Sequence, residues 1–275
     1  MKQALLLLAL LLRAFVVCVC GLPAQRAIAW VEPVSEQRLA LVIGNAAYSA
    51  PEPALKNPVN DARAIAAALK ELGFGVRLVT DANHAGMRRA IREFEDSLRK
   101  RKSVGLFYFA GHGLHVEGRN YLLPIGARLT REDEALHRAI DATELVQRLR
   151  ETGSRLNIVI LDACRDNPLV KPPFSARGGY SAGGLAPLRP ATGTLVAFAA
   201  EPGRVAGDGA ADHGMYAKHL VRYMRMPELS LEQVFKRVRE AVEKESNGSQ
   251  VPVEFSTLTG SDFYFVSPPR RRRTD

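Results

Sequence analysis

Two short stretches of this chain carry apolar runs onto reactive side chains. One reads Phe107, Tyr108, Phe109, Ala110, Gly111, His112, Gly113. The other reads Ile158, Val159, Ile160, Leu161, Asp162, Ala163, Cys164, Arg165, Asp166. A thiol is only partly ionised near neutral pH. A neighbouring imidazole can take its proton to form the nucleophilic thiolate and can later protonate a leaving amine. Gly111 and Gly113 leave the backbone beside His112 uncrowded, so a substrate can approach closely. The backbone N–H groups of Gly113 and Cys164 are candidate donors to an oxyanion. Each stretch also has a plainer reading. A Gly-His-Gly after a strand can be a tight turn with a solvent-facing imidazole, and a single cysteine after a strand can be a small buried filler. Taken together, with helical sequence between them, the two favour catalysis.

Such a pair works only if the fold brings the residues together. In an open α/β sheet, residues just past the carboxyl ends of neighbouring parallel strands meet in one crevice. The flanking pattern fits that architecture. Residues 39–44 read as a buried first strand closed by Gly44, and 60–72 as a helix with Ile65, Ala68, Leu69 and Leu72 on one face. A strand over 75–79, an amphipathic helix over 85–101 (Ile91, Phe94, Leu98) and a strand over 104–109 lead to His112. An extended piece at 121–124, a helix at 142–150 and a strand over 156–161 lead to Cys164. Beyond a Pro/Gly-rich linker at 168–190 lie a strand at 194–199, helices at 215–224 and 230–245, and a last strand predicted at 262–266. Strands alternating with helices predict a mostly parallel sheet wrapped on both faces. No repeat and no second core is visible, so one domain over 36–267 is expected, followed by a basic disordered tail at 268–275.

The 275 residues are 47% hydrophobic and 24% charged, ordinary for a globular protein with a substantial core. The formal charge of +9 is partly the run Arg270 to Arg273 at the end. No basic stripe interleaved with exposed aromatics is present, so no nucleic-acid partner is expected. The first 29 residues read as a signal peptide. Lys2 gives a positive start, Leu5 to Leu12 is nearly all leucine, and Ala27-Ile28-Ala29 before Trp30 fits a small-x-small cleavage site. Arg13 divides the apolar stretch into halves well short of the ~20 residues of a span. Membrane association is expected only if this segment is retained; otherwise the product is exported, periplasmic or secreted. Of the three cysteines, Cys18 and Cys20 fall in the leader. Cys164 then has no internal disulfide partner, and its setting points to reactivity. His112 and His115 have no carboxylate or further histidine at metal-binding spacing, so no metal and no cofactor is expected.

The chain resembles the caspase-like cysteine peptidases, in particular their bacterial metacaspase-like branch. Residues 108–113 match that family's His segment and 162–165 its Cys segment, with the His about 50 residues upstream of the Cys as is usual there. Asn60-Asp61-Ala62 after Gly44-Asn45, the run from Gly118 to Pro124, and Ala200 to Gly203 with Asp208-Gly209 also match, so the resemblance covers most of 38–266. It implies a three-layer α/β/α sandwich with a central sheet of about six strands and a His112–Cys164 dyad at the sheet's carboxyl edge. It further implies an endopeptidase acting on polypeptides. Metacaspase relatives use acidic pocket residues and cut after Arg or Lys; Asp61 and Asp162 match those positions and would favour a cationic side chain. Alone, Asp61 also reads as a helix N-terminal charge and Asp162 as a turn former. Two departures stand out. Ala110 replaces a small polar residue two before the His. Ala127 and Arg128 lie where the calcium-binding acids of eukaryotic relatives would be sought, so the resemblance carries over no calcium site. Lys171, Arg177 and Arg189 in the linker suggest self-cleavage, against the reading of a plain surface loop. The alternatives are a non-enzymatic caspase-like module that binds peptides or proteins, and another hydrolase on an open α/β sheet. The latter calls for a Gly-x-Ser-x-Gly elbow between a strand and a helix, and no expected strand–helix junction carries one; Gly179 to Gly183 spells the pattern only within the Pro/Gly-rich linker.

Overall fold

A computed structural model describes residues 36–100, 103–164, 192–201 and 212–267, together with Leu185, Leu188 and Pro190. The expected leader, the linker residues Lys171, Arg177 and Arg189, and the tail from 268 lie outside the described residues. In chain order the strands are β1 (Gln37–Gly44), β2 (Gly75–Thr80), β3 (Ser103–Val116), β4 (Arg119–Leu122), β5 (Ile140–Asp141), β6 (Leu156–Cys164), β7 (Thr194–Phe198) and β8 (Val253–Ser256). The helices are α1 (Pro58–Glu71), α2 (His84–Arg99), the single turn α3 (Ala135–Arg138), α4 (Ala142–Glu151), α5 (Met215–Met224) and α6 (Leu231–Glu245).

The main sheet runs β2-β1-β3-β6-β7-β8. Its first five strands are parallel and β8 is antiparallel to β7. The chain steps from β1 outward to β2 and then returns past β1 to β3, so the winding direction reverses between β1 and β3. In open α/β sheets such reversals open a crevice at the carboxyl ends of the strands.

Alternation along the buried strands sorts side chains into two cores. Ala40, Val42, Leu106, Tyr108, Ile158, Ile160, Leu195 and Ala197 pack with α1, α5 and α6. Leu41, Ile43, Phe107, Phe109, Val159, Leu161, Val196 and Phe198 pack with α2 and α4. This is the three-layer sandwich, produced by the two-residue pleat period acting on strands with uninterrupted apolar runs at their centres. A smaller cluster of Tyr48, Leu114, Val116, Tyr121, Leu123 and Leu129 lies under the ribbon that β4 and β5 form at the end of β3.

Two expectations are corrected. The strand leading to His112 does not stop at Phe109. It runs to Val116, because the antiparallel partner β4 supplies hydrogen-bonding neighbours to Gly113 through Val116. The closing strand is Val253–Ser256; residues 262–266 make only a single bridge, Ser230 to Tyr264. Phe263 and Phe265 are both buried and give the alternation of a strand. Their carbonyls instead go to the Leu231 amide and, with that of Tyr264, to the Arg38 guanidinium. That guanidinium lies over the Phe74 and Phe263 rings. Among the described residues, no helix is long and apolar enough to cross a membrane.

The end of β1 meets the start of α1 without room for a side chain. A Cβ at Gly44 would lie 2.5 Å from the Pro58 carbonyl oxygen and 2.6 Å from Ala62 Cβ. Gly44→Ala is expected to lower the free energy of unfolding by about 1–3 kcal/mol through forced separation of α1 from the sheet. Urea denaturation of the two proteins measures this.

Candidate active site

The β3–β6 ladder places Ala110 opposite Asp162, Gly111 opposite Ala163 and His112 opposite Cys164. Neighbouring strands lie about 4.8 Å apart, and opposed positions of a pleated pair share a face. His112 and Cys164 thus occupy the last matched pair of the parallel ladder, within β3 for His112 and at the end of β6 for Cys164. Gly111 is the hinge of this arrangement. Its φ is +153°, and a Cβ there would lie 2.6 Å from the Tyr48 hydroxyl oxygen and 2.9 Å from Phe109 Cζ. A side chain at 111 would therefore displace the groups that hold His112. Gly113 is buried; a Cβ there would lie 3.1 Å from both Ala163 Cβ and Leu185 Cδ2.

The imidazole of His112 is buried and positioned by the loop that follows β1. Its Nε2 lies 2.8 Å from the Pro53 carbonyl oxygen. A carbonyl can only accept, so Nε2 carries the proton and, in the neutral ring, Nδ1 holds the basic lone pair. The Tyr48 hydroxyl accepts from the His112 backbone N–H at 3.1 Å and donates to the Leu123 carbonyl at 2.9 Å. The Tyr48 ring lies 4.5 Å from the imidazole, centroid to centroid, tilted by 58°. The loop itself is tied down along its length. Asp81 accepts from the amides of Ala46 and Ala47, and buried Glu52 accepts from the Leu129 amide at 2.8 Å. Buried Asn45 accepts from Ala82 N–H and donates to the Leu123 carbonyl.

The two aspartates singled out from sequence converge on one phenol. Tyr108 projects from β3 into the layer of α1 and α5, and its hydroxyl donates to Asp162 Oδ2 at 2.8 Å. Its phenol is held well above the ordinary tyrosine range, first by burial, then by the negative charges of Asp162 and Asp61. Asp61, in the first turn of α1, is buried. Its oxygens each lie 3.1 Å from the Gly214 amide, and Oδ1 lies 3.0 Å from His213 Nδ1. Tyr216, in the first turn of α5, is also held well above the ordinary range, first by burial and then by Asp162. An acidic patch therefore sits beside the last matched rungs of β3 and β6. Asp61 serves as a helix N-terminal charge as well, and the two readings of it are compatible.

Sequence reasoning missed Pro53, Tyr48, His213 and Tyr216. Pro53 acts through its carbonyl, which every residue type possesses, and no side-chain signal could have found it. Tyr108 was visible as a residue of a buried strand and as the first residue of the His segment, but not as the partner of Asp162.

A mostly parallel α/β/α sandwich with a histidine and a cysteine position in register at the end of the parallel β3–β6 ladder defines a caspase-like architecture. The Caspase domain family matches residues 37–264, and the chain belongs to that family of cysteine peptidases. It is 34% identical over 134 residues to the Homo sapiens mucosa-associated lymphoid tissue lymphoma translocation protein 1, and equally to its Mus musculus homolog. Those matches span 49% of this chain but only 16% of each relative. The crystal structure of the Drosophila initiator caspase Dronc superposes with a TM-score of 0.58 over 82% of each chain at 15% identity, a likeness of fold.

The buried phenols make stability pH-dependent. Their folded pKa values are raised, whereas an unfolded tyrosine ionises near pH 10. Above that pH the unfolded chain releases protons that the native state retains, so stability falls as pH rises. Among the described residues, the Tyr216 hydroxyl has no hydrogen-bond partner. Tyr216→Phe is thus expected to flatten the loss of stability above about pH 10. Urea midpoints measured at successive alkaline pH values read the slope.

Proposed function

We propose that this protein is a cysteine endopeptidase that cleaves polypeptides after Arg or Lys. The observation that carries the reading is the β3–β6 register, which matches His112 with Cys164. In this reading Cys164 attacks the scissile carbonyl carbon as a thiolate. His112 Nδ1 takes the thiol proton and returns it to the leaving amine; water then attacks the thioester, giving up a proton to the same nitrogen and releasing the acid. The Pro53 carbonyl holds the tautomer this requires and steadies the imidazolium that forms. The amides of Gly113 and Cys164 receive the oxyanion. Asp61 and Asp162 recognise the cationic side chain, a role supported by the burial of Asp61 and by the rung that Asp162 shares with Ala110, two before the His112–Cys164 pair. No cofactor is needed for these steps, and the N-terminal segment directs export.

A panel of fluorogenic peptides differing only in Arg, Lys or Asp before the scissile bond tests the reading. Turnover is expected for Arg and Lys, with kcat/KM reduced by about 100-fold in Asp162→Asn, the scale for truncating one partner of a buried charge pair. Activity is expected to vanish in Cys164→Ala. Turnover that survives Cys164→Ala would sink the nucleophile assignment. Cleavage after Asp alone would sink the pocket assignment while sparing the dyad.

The same specificity predicts self-cleavage. Lys171, Arg177 and Arg189 follow Cys164 closely in the chain. Purified protein is expected to show two fragments on denaturing gels, with amino termini after one of these residues, whereas Cys164→Ala stays intact. An intact wild-type chain would count against it.

A further inference from the structure

Position 111 has no room for a side chain, and the nearest atom in its way belongs to Tyr48. A Cβ at Gly111 would lie 2.6 Å from the Tyr48 hydroxyl oxygen, 2.9 Å from Phe109 Cζ and 3.2 Å from the Asn45 carbonyl oxygen. Tyr48 stands 64 residues before His112, on the loop after β1, and is buried. Its hydroxyl reaches past Gly111 to accept from the His112 amide at 3.1 Å, and it donates its own proton to the Leu123 carbonyl at 2.9 Å. Its ring lies 4.5 Å from the imidazole, tilted by 58°. One side chain therefore touches the base twice, at the backbone and at the ring. Tyr48 also fills space in the cluster of Leu114, Tyr121 and Leu123. A filler needs the ring but not the hydroxyl, so the hydroxyl marks a further role.

We infer that Tyr48 is a positioning residue for His112 and that Gly111 is its counterpart, the hydroxyl occupying the volume that a side chain at 111 would take. The inference deepens the endopeptidase reading above and rests on it; Tyr48 acts only through the base. The bond from Nε2 to the Pro53 carbonyl fixes one end of the imidazole. The Tyr48 ring packs against its side, and the Tyr48 hydroxyl fixes the backbone from which it springs. Proton transfer is steep in such placement, a displacement of ~1 Å costing about 100-fold in rate. Removing the hydroxyl takes this acceptor from a buried amide, and the local backbone then relaxes to restore the lost bonding. A separate role for Gly111, allowing its φ of +153°, would be felt equally with Tyr or Phe at position 48. If the two act as one unit, their substitutions do not multiply.

Turnover of an arginine peptide by full-length Tyr48→Phe, Gly111→Ala and the double variant forms a cycle, with urea midpoints confirming that each is folded. Tyr48→Phe keeps the ring and loses only the hydroxyl. Its kcat is expected to fall about tenfold with KM unchanged, less than a full 1 Å displacement costs because Pro53 still holds the ring. Gly111→Ala is expected to lose about 100-fold in kcat, but only about tenfold when Phe already stands at 48, because the closest clash is gone. Wild-type kcat in Tyr48→Phe, a loss confined to KM, or a double variant at the product of the single losses would overturn the inference. A second measurement needs neither a substrate nor alanine at 111. Iodoacetamide captures the thiolate of Cys164, and peptide mass reads the rate at about pH 6.5, below the ordinary thiol range. That rate is expected to drop about tenfold in folded Tyr48→Phe, toward the rate of His112→Ala. An unchanged rate would overturn the inference. A drop in this rate while the wild type cleaves no peptide would overturn the endopeptidase reading and leave Tyr48 as the residue that positions His112.

Discussion

β3 and β6 are held in one register by the two cores that enclose them. Leu106, Tyr108, Ile158 and Ile160 belong to the α1/α5/α6 layer, and Phe107, Phe109, Val159 and Leu161 to the α2/α4 layer. The pleat repeats every two residues, so a slip of one position would exchange these sets across the sheet and leave Tyr108 facing the wrong helices. The same register aligns Ala110 with Asp162 and His112 with Cys164. Geometry at the candidate site is therefore not an addition to the fold but a consequence of its apolar packing. The aromatic and β-branched residues that stabilise the sheet also fix the separation of an imidazole and a cysteine position, with no need for a dedicated contact between them.

The acidic patch shows how the fold tolerates charge beside that core. A carboxylate removed from water is costly unless donors replace its hydration. Asp61 has the Gly214 amide and His213, and Asp162 has the Tyr108 hydroxyl. The burden appears instead on the phenols, which are held in their neutral form by burial and by the neighbouring negative charge.

Much of this was legible in the sequence because it rests on periodicity. β1, β2, β6, β7, α5 and α6 announce themselves as apolar runs of strand length or as helical stripes, and reading β3 and β6 as parallel neighbours already brings the His112 and Cys164 positions close, whereas the register that pairs them comes from the structure. What escaped has a common cause. β8 is four residues long, and its Glu254 makes sense only once Arg239 is seen beside it. Phe263 and Phe265 alternate as a strand would, yet the groups that take their carbonyls come from distant parts of the chain, Arg38 and Leu231. The extension of β3 depends on β4, a partner whose pairing cannot be inferred from β3 itself. Pro53, Tyr48 and His213 act through contacts that close only after folding.

The loop between β1 and α1 illustrates why those hidden contacts matter. The sheet alone places His112 along β3 but does not decide which ring nitrogen bears the proton. That choice is made by a backbone carbonyl, Pro53, on a segment with no regular secondary structure. An irregular segment can perform such a task only if its own position is fixed. Here the fixing groups are Asp81 at its start, Glu52 in its middle and Tyr48 across the strand, each satisfying a backbone N–H. Tyr48 closes the circuit. It accepts from the His112 amide while donating to Leu123, whose own amide donates to the His112 carbonyl. The backbone on both sides of the imidazole is thus held by the loop that also sets its tautomer, so ring orientation and proton position are determined together.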